Sequence, residues 1–191
     1  MREYYTLLIL CIFLIFILCL PNTHIENFDA MCSFQADVGK ICPIHIITAE
    51  YTIQVYQNHE QTIQEELLSY LQDEWNNEDT NYTHQYIVTN WPDANAFYIM
   101  TNTNTGSLIG SIAVDRKNFL PFISNLYILP EYRKKGYASV LLQTAEDYIK
   151  SMGFTEAHLW CKESLITYYQ KRGYEIENSK NETKIVMVKY L

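Results

Sequence analysis

Hydrophobic and polar residues alternate with two different periods along residues 51–191. Residues 51–56 alternate apolar with polar side chains, which predicts a strand. Residues 57–75 carry their apolar side chains on one helical stripe, with acidic residues opposite, which predicts an amphipathic helix. Residues 76–95 are rich in Asn, Asp and Thr, which is typical of a loop or a broken second helix.

The second half of the chain predicts strands on both sides of a long helix. Residues 122–129 are apolar apart from Ser124 and Asn125, which indicates a central strand buried on both faces. The helix at 139–152, with Glu146 on its exposed face, then leads to a parallel strand by a right-handed crossover. We therefore predict an α/β (α+β) fold with a central mixed sheet of about six or seven strands and flanking helices. The predicted elements are strands 97–101, 108–115, 122–129 and 157–161, helices 139–152 (ended by Gly153) and 165–172 (capped by Ser164), and a hairpin of 174–177 with 183–190.

An uninterrupted apolar run fills residues 7–20. Counted from Tyr4, a helix over residues 4–20 spans about 25 Å, which suits a short signal anchor or the core of a signal peptide. No good cleavage site follows, so we expect an uncleaved single-pass membrane helix. Arg2 precedes the run, and the positive-inside rule then places the domain outside the cytosol. Translation from Met31 would instead give a soluble cytoplasmic protein.

The length of 191 residues suits one domain with an N-terminal extension. We place the signal-anchor or transmembrane helix at 1–22, a linker at 23–50 and the domain at 51–191. The five cysteines form no Cys-x-x-Cys pair and the five histidines show no ligand spacing, so we predict neither a disulfide scaffold nor a metal site. Cys161 reads as a small core residue.

The net charge of −8 is divided unevenly along the chain. Residues 41–115 contain ten acids and no lysine or arginine, whereas residues 116–191 carry a net charge of +4. Such a division draws a polyanionic ligand to one side of a cleft and a cationic ligand to the other, although a solvated acidic helix surface explains it equally well. No basic stripe with interleaved aromatic residues is present, so nucleic acid is an unsuitable partner.

The segment 130–138 joins the predicted central strand to the long helix, and it carries the most specific chemical signal. A loop at this position turns consecutive backbone N–H groups toward one point at the helix N-terminus, where a phosphate binds well. Gly136 leaves the backbone accessible because it has no Cβ. Arg133, Lys134 and Lys135 add a cationic rim, so the loop predicts a grip on the diphosphate of a nucleotide cofactor.

The pattern Arg133-x-x-Gly136-x-Ala138 resembles the acyl-CoA signature of the GNAT superfamily of N-acetyltransferases. A second match lies at residues 159–161 and 165–174, which resemble the segment with that family's catalytic tyrosine. The resemblance covers about residues 51–190 and implies acetyl-CoA as co-substrate, with no metal. It implies Tyr169 as the general acid that protonates the thiolate. It also implies the following cofactor-binding residues: Leu126, Tyr127, Ile128, Arg133, Lys134, Lys135, Gly136, Tyr137 and Ala138.

The general base is the least defined part of this expected site. Many members of the resembled family place a glutamate on the strand before the loop, but this chain has Ser124 and Asn125 there. Ordered water with Glu74, Glu78 or His84 would then take the proton. We expect acetyl transfer to a primary amine by direct attack in a ternary complex, with a cationic acceptor such as a polyamine or a basic peptide. The alternatives are a membrane-tethered acyl-CoA sensor that has lost its base and an α/β interaction domain whose loop binds nothing.

Overall fold

The computed structural model of the protein describes residues 44–75, 82–91, 96–117, 119–177 and 185–191. The predicted membrane helix at residues 4–20 and the alternative start at Met31 lie outside these ranges. Within them, no helix has both the length and the apolar character needed to cross a membrane.

One mixed sheet of eight strands runs through the described part of the chain. The strands are β1 (Ile46–Ile47), β2 (Tyr51–Val55), β3 (Phe97–Asn102), β4 (Leu108–Lys117), β5 (Leu120–Ile128), β6 (Glu156–Cys161), β7 (Glu175–Ile176) and β8 (Ile185–Tyr190). Their order in the sheet is β1-β2-β3-β4-β5-β6-β8-β7. Only β5 and β6 run parallel, and every other described pair is antiparallel.

Four α-helices pack on this sheet within the described ranges. They are α1 (Gln61–Trp75), α2 (His84–Asn90), α3 (Tyr137–Ser151) and α4 (Ile166–Gln170). The ring of Phe97 lies 5.2 Å from that of Trp91, which follows α2, and the next residue, Tyr98, lies 6.0 Å from Tyr148 of α3. Adjacent residues of a strand point to opposite faces, so the helices cover both sides of the sheet. We call these sides the α2 face and the α3 face.

The periodic pattern predicted the type and order of the long elements correctly, and the differences lie at short ones. Strand β1 falls in the segment predicted as a linker, so the sheet has eight strands rather than the six or seven that we expected. Helix α1 starts at Gln61 because residues 56–58 form a separate 3₁₀ turn. Ser164 does not cap α4; it lies within another 3₁₀ turn, and Leu165 occupies the cap without a side-chain hydrogen bond.

The prediction that Glu146 is exposed was wrong. Its side chain on α3 is only 3% exposed. Tyr174 donates its hydroxyl proton to one carboxylate oxygen at 2.9 Å, and Lys189 Nζ donates to the other at 2.6 Å. Strand β8 places the lysine against this side of the helix, so the carboxylate is buried with both oxygens hydrogen-bonded.

Candidate active site

The parallel strands β5 and β6 are paired over only a short length. Phe122 pairs with His158 and Ile123 pairs with Leu159, and no further pair follows toward the carboxyl ends. Strand β5 continues to Ile128, so its residues from Ser124 onward border an opening between the two strands. A narrow ligand can hydrogen-bond to exposed strand backbone in such an opening.

A β-bulge lies at the start of this opening. Ser111 pairs with Tyr127 and Ala113 pairs with Ser124, so Asn125 and Leu126 together oppose one residue of β4. Asn125 has a φ of 49°, in the left-handed region, and its carbonyl accepts a hydrogen bond from Ser111 Oγ at 3.1 Å. Bulges reorient side chains and main-chain groups, and they are frequent beside active sites.

Five consecutive backbone N–H groups, from Lys134 to Ala138, have no acceptor among the described residues. The N–H groups of Ser139 and Val140 both bond to the carbonyl of Gly136, so the first hydrogen-bonded turn of α3 begins only there. The unpaired donors occupy the helix N-terminus, where the macrodipole is positive. We call these five N–H groups the candidate anion site, because their position suits a bound anion.

The backbone of this loop takes a conformation that favours glycine. Gly136 has a φ of +92°, and a Cβ added there would meet no atom within 4 Å. Lys134 also has a positive φ of 64°. Because the space above Gly136 is open, a ligand phosphate can approach the N–H groups directly.

The three basic residues do not form one rim. Arg133 turns back to donate from Nε to the carbonyl of Ile128 at 2.9 Å, and its guanidinium carbon lies 5.8 Å from the ring centre of Tyr127. Lys135 Nζ lies 5.2 Å from the ring centre of Tyr132, and Lys134 is exposed. Arg133 thus joins the loop to the end of β5, while the lysines remain near the candidate anion site.

The side chain of Tyr137 also has a structural position. It is buried, and its hydroxyl donates to Glu50 Oε1 at 2.7 Å. This hydrogen bond, followed by burial and the charge of Glu50, raises the pKa of Tyr137 to about 12. The backbone N–H of Tyr137 contributes to the candidate anion site, and the side chain holds the start of α3 against the turn before β2.

The residues predicted to line the pantetheine arm lie along the opening. Tyr127 is buried on the α2 face, where its ring contacts Tyr70 at 6.0 Å and Trp75 at 5.9 Å. Leu126 is half-buried beside the bulge, and the carbonyl of Ile128 is already bonded to Arg133. The side chain of Tyr127 is thus part of an aromatic cluster with Tyr70 and Trp75.

Tyr169 lies on α4 with only 8% of its surface exposed. Its ring packs edge-on against Tyr168 at 5.0 Å and Tyr174 at 5.8 Å. Burial, followed by the nearby Tyr168 and Cys161, raises the pKa of the Tyr169 phenol well above its ordinary value. The hydroxyl has no hydrogen-bond partner in the described part of the chain, so it remains available as a proton donor.

Two of the three predicted bases, Glu74 and His84, lie within the described residues. Glu78 lies outside the described residues, and Glu74 is exposed on α1. His84 Nδ1 is hydrogen-bonded to the hydroxyl of Tyr56 at 3.2 Å. Sequence reasoning missed Asp115, a half-buried carboxylate on β4 that the register places beside Ser124 of β5. In the sequence, Asp115 stands out only as an acidic residue at the end of the apolar strand predicted at 108–115.

Comparison with known families agrees with this geometry. The model described as the acetyltransferase (GNAT) family matches residues 61–174, which is more than half of the chain. The chain belongs to the GNAT family. This GNAT protein is accordingly an acyltransferase, and the family uses acetyl-CoA, which suits the unpaired N–H groups above Gly136. The resemblance inferred from the two sequence motifs is confirmed.

Individual relatives of this GNAT protein are distant. N-alpha-acetyltransferase 30 of Schizosaccharomyces pombe (strain 972 / ATCC 24843) is 28% identical over 99 residues, which cover 50% of this chain and 66% of that relative. The structure of PaiA N-acetyltransferase from Thermoplasma acidophilum in complex with coenzyme A has a TM-score of 0.53 at 18% identity, and the match covers 74% of this chain and 99% of that one. The structure of the NatC complex bound to Gag peptide and CoA has a TM-score of 0.59 at 17% identity, with the same coverage. These structural likenesses support the fold.

Proposed function

We propose that the protein transfers the acetyl group of acetyl-CoA to a primary amine of a peptide, foremost its α-amino group. The observation that carries the acyl-CoA part is the row of five unpaired N–H groups from Lys134 to Ala138, next to the opening between β5 and β6. A diphosphate at the loop directs the pantetheine arm along β5.

Acetyl-CoA supplies the thioester carbonyl and the leaving thiolate. The N–H groups of the loop bind its diphosphate, and the backbone beside the bulge near Leu126 donates to the carbonyl oxygen as negative charge develops there. Tyr169 donates a proton to the departing sulfur. The raised pKa keeps this phenol protonated at neutral pH, as a general acid requires.

Two observations favour a peptide α-amine as the acceptor. The relative named N-alpha-acetyltransferase 30 matches half of this chain, and a solved complex with the same fold holds a peptide and CoA. The segment 41–115, which includes β1 to β3, α1, α2 and β4 as far as Asp115, contains ten acids and no lysine or arginine. A negative surface attracts an ammonium group. A polyamine is the competing acceptor, because it carries the same charge.

A panel of three acceptors tests the proposal with the full-length chain and acetyl-CoA. The panel contains a lysine-free peptide with a free N-terminus, the same peptide blocked at its N-terminus and carrying one lysine, and spermidine. Release of coenzyme A thiol gives the rate, and mass spectrometry locates the acetyl group. We expect the free N-terminus to react at least about tenfold faster, a difference of about 1.4 kcal/mol. A faster reaction with spermidine would contradict the peptide acceptor. Absence of thiol release with all three acceptors would contradict the transferase proposal.

A further inference from the structure

Two hydrogen bonds run along the α2 face from Tyr82 through the bulge to Ser124, which lies beside a carboxylate. The hydroxyl of Tyr82 donates to Asn125 Oδ1 at 2.8 Å. Asn125 Nδ2 donates to Ser124 Oγ at 3.4 Å. Ser124 is the diagonal neighbour of Asp115 across the β4–β5 pair, and its hydroxyl lies near enough to lower the pKa of that carboxylate.

The register places all of these groups on one side of the sheet. Ala113 pairs with Phe97, whose ring lies on the α2 face, and Ser124 pairs with Ala113 from the other side. Asp115 is two residues beyond Ala113 and therefore lies on the same face. Ser124 is also the first residue after the last β5–β6 pair. Ser124 thus lies at the opening where the acceptor amine must arrive.

Aromatic side chains and one lysine surround the carboxylate of Asp115. Tyr82, Tyr86 and Trp91 lie on one side of it, and Lys117 follows on β4. The indole nitrogen of Trp91 is buried, has no hydrogen-bond partner of good geometry among the described residues, and lies close enough to lower the pKa of Asp115 slightly. Burial dominates and raises the pKa of Asp115 above its ordinary value.

Phe122 separates Asp115 from the other titratable cluster on this face. Phe122 pairs with both Asp115 and His158, and its ring lies 5.2 Å from that of His158. His158 is 2% exposed and lies between two carboxylates, Glu156 at 3.2 Å and Glu177 at 3.4 Å. His158 is therefore enclosed by its own acids, whereas Asp115 is connected to the opening through Ser124.

We propose that Asp115 receives the proton that the acceptor ammonium must lose, through the Ser124 hydroxyl and one bridging water. This inference rests on the proposed acetyltransferase function. Ser124 cannot keep a proton, but its oxygen accepts one from the water while its own hydroxyl proton passes to Asp115. Tyr82 is unsuited to this role, because burial raises its pKa to about 12 and it stays protonated. Asp115 acts through Ser124 and is a positioning residue.

The protons and bonds balance in this scheme. The ammonium loses one proton to Asp115, which returns it to solvent after the reaction. The neutral nitrogen then forms the N–C bond as the C–S bond breaks. The second proton leaves the nitrogen for solvent as the amide forms, and the thiolate takes a proton from Tyr169, which is restored from solvent.

The pH dependence of Asp115→Asn tests the inference with the full-length chain. Only the wild type has an ionisable carboxylate at this position, so the ionisation of the substrate cancels in the ratio of the two kcat/KM values. We expect the kcat/KM of the wild type, divided by that of Asp115→Asn, to be near one at acid pH. This ratio should rise with pH through the pKa of Asp115 and level at about 100. The KM for acetyl-CoA should stay within about twofold. A ratio that is the same at every pH would overturn the inference, because a merely structural defect gives that result.

Companion variants separate this outcome from others. Ser124→Ala should reduce kcat in the same pH-dependent way, and Asp115→Glu should recover part of the rate. Asp147→Asn is the matched control, since Asp147 is exposed on α3 and bonds only to Gln143 within the described chain. If the wild type acetylates amines and the ratio is flat, only the Asp115 inference fails. If the wild type acetylates no amine, both it and the proposed function fail.

Discussion

At the residue scale, the exposure and environment of Tyr169 define a direct test of the general acid. Tyr169→Phe removes one hydroxyl and leaves the ring contacts with Tyr168 and Tyr174 in place. We expect kcat to fall by about 10²-fold, the lower end of the effect of a general acid, with little change in the affinity for coenzyme A. Steady-state kinetics and calorimetry measure the two quantities.

The neighbouring Tyr168 provides the matched control. Its hydroxyl is buried with no hydrogen-bond partner among the described residues, and its ring lies 3.5 Å from the guanidinium carbon of Arg172. Tyr168→Phe keeps that ring and removes an unsatisfied polar group, so stability and turnover should be unchanged or slightly higher. Equal turnover by Tyr169→Phe and the wild type would refute the acid role.

At the element scale, the N-terminus of α3 carries the cofactor prediction. Gly136→Asp adds a carboxylate to the open space in front of the unpaired N–H groups. Like charges about 4 Å apart repel by about 4 kcal/mol near a protein surface, so the Kd for coenzyme A should rise by about 100-fold or more. Isothermal titration calorimetry measures the change.

Gly153, at the other end of α3, provides a control for the backbone strain that any side chain causes at a positive φ. Its φ is +85°, close to the +92° of Gly136, and its surroundings are equally open. Gly153→Asp therefore adds the same charge and the same left-handed strain far from the candidate anion site. Similar losses of coenzyme A affinity in both variants would exclude a specific role for the loop.

Local sequence patterns identified the elements whose residues contact near neighbours along the chain. Helix α3 and strands β4 and β5 were predictable because their apolar periodicity is long and regular. Glu146 was misplaced because its partners, Tyr174 and Lys189, are 28 and 43 residues away. Asp115 was missed for a different reason: the β4–β5 register, which the sequence pattern does not fix, brings Ser124 next to it. The loop before α3 could be predicted because its glycine and its helix are adjacent in sequence; its binding of an anion stays a prediction.

At the scale of the whole molecule, the buried carboxylate of Glu146 links α3 to β8. Lys189→Met leaves that carboxylate without its cation, and removal of one partner of a buried pair costs about 3 kcal/mol. We expect the free energy of unfolding to fall by about this amount and the thermal midpoint to fall by roughly 6–12 °C. Urea denaturation and thermal denaturation, both followed by circular dichroism, measure the two changes.

Lys150→Met on the exposed side of α3 controls for the loss of a positive charge. Its effect on the free energy of unfolding should be within about 0.5 kcal/mol of zero. Replacement of Glu146 by Gln in the Lys189→Met background removes the unpaired charge and should recover part of the stability. Failure of that second substitution to recover any stability would show that the lysine acts through packing alone.

The two-residue pairing between β5 and β6 divides the sheet into two halves that meet at a narrow seam. A coenzyme that lies in this seam would contact both halves and add bonds between them. Amides of β6 and β8 should then exchange with deuterated solvent more slowly when coenzyme A is present. The slowing should reach about 100-fold at a concentration of 100 times Kd where exchange requires the seam to open. The exchange rates of amides in the distant strand β2 should change less. Bound coenzyme A would then stabilise the fold of the enzyme as well as take part in its reaction.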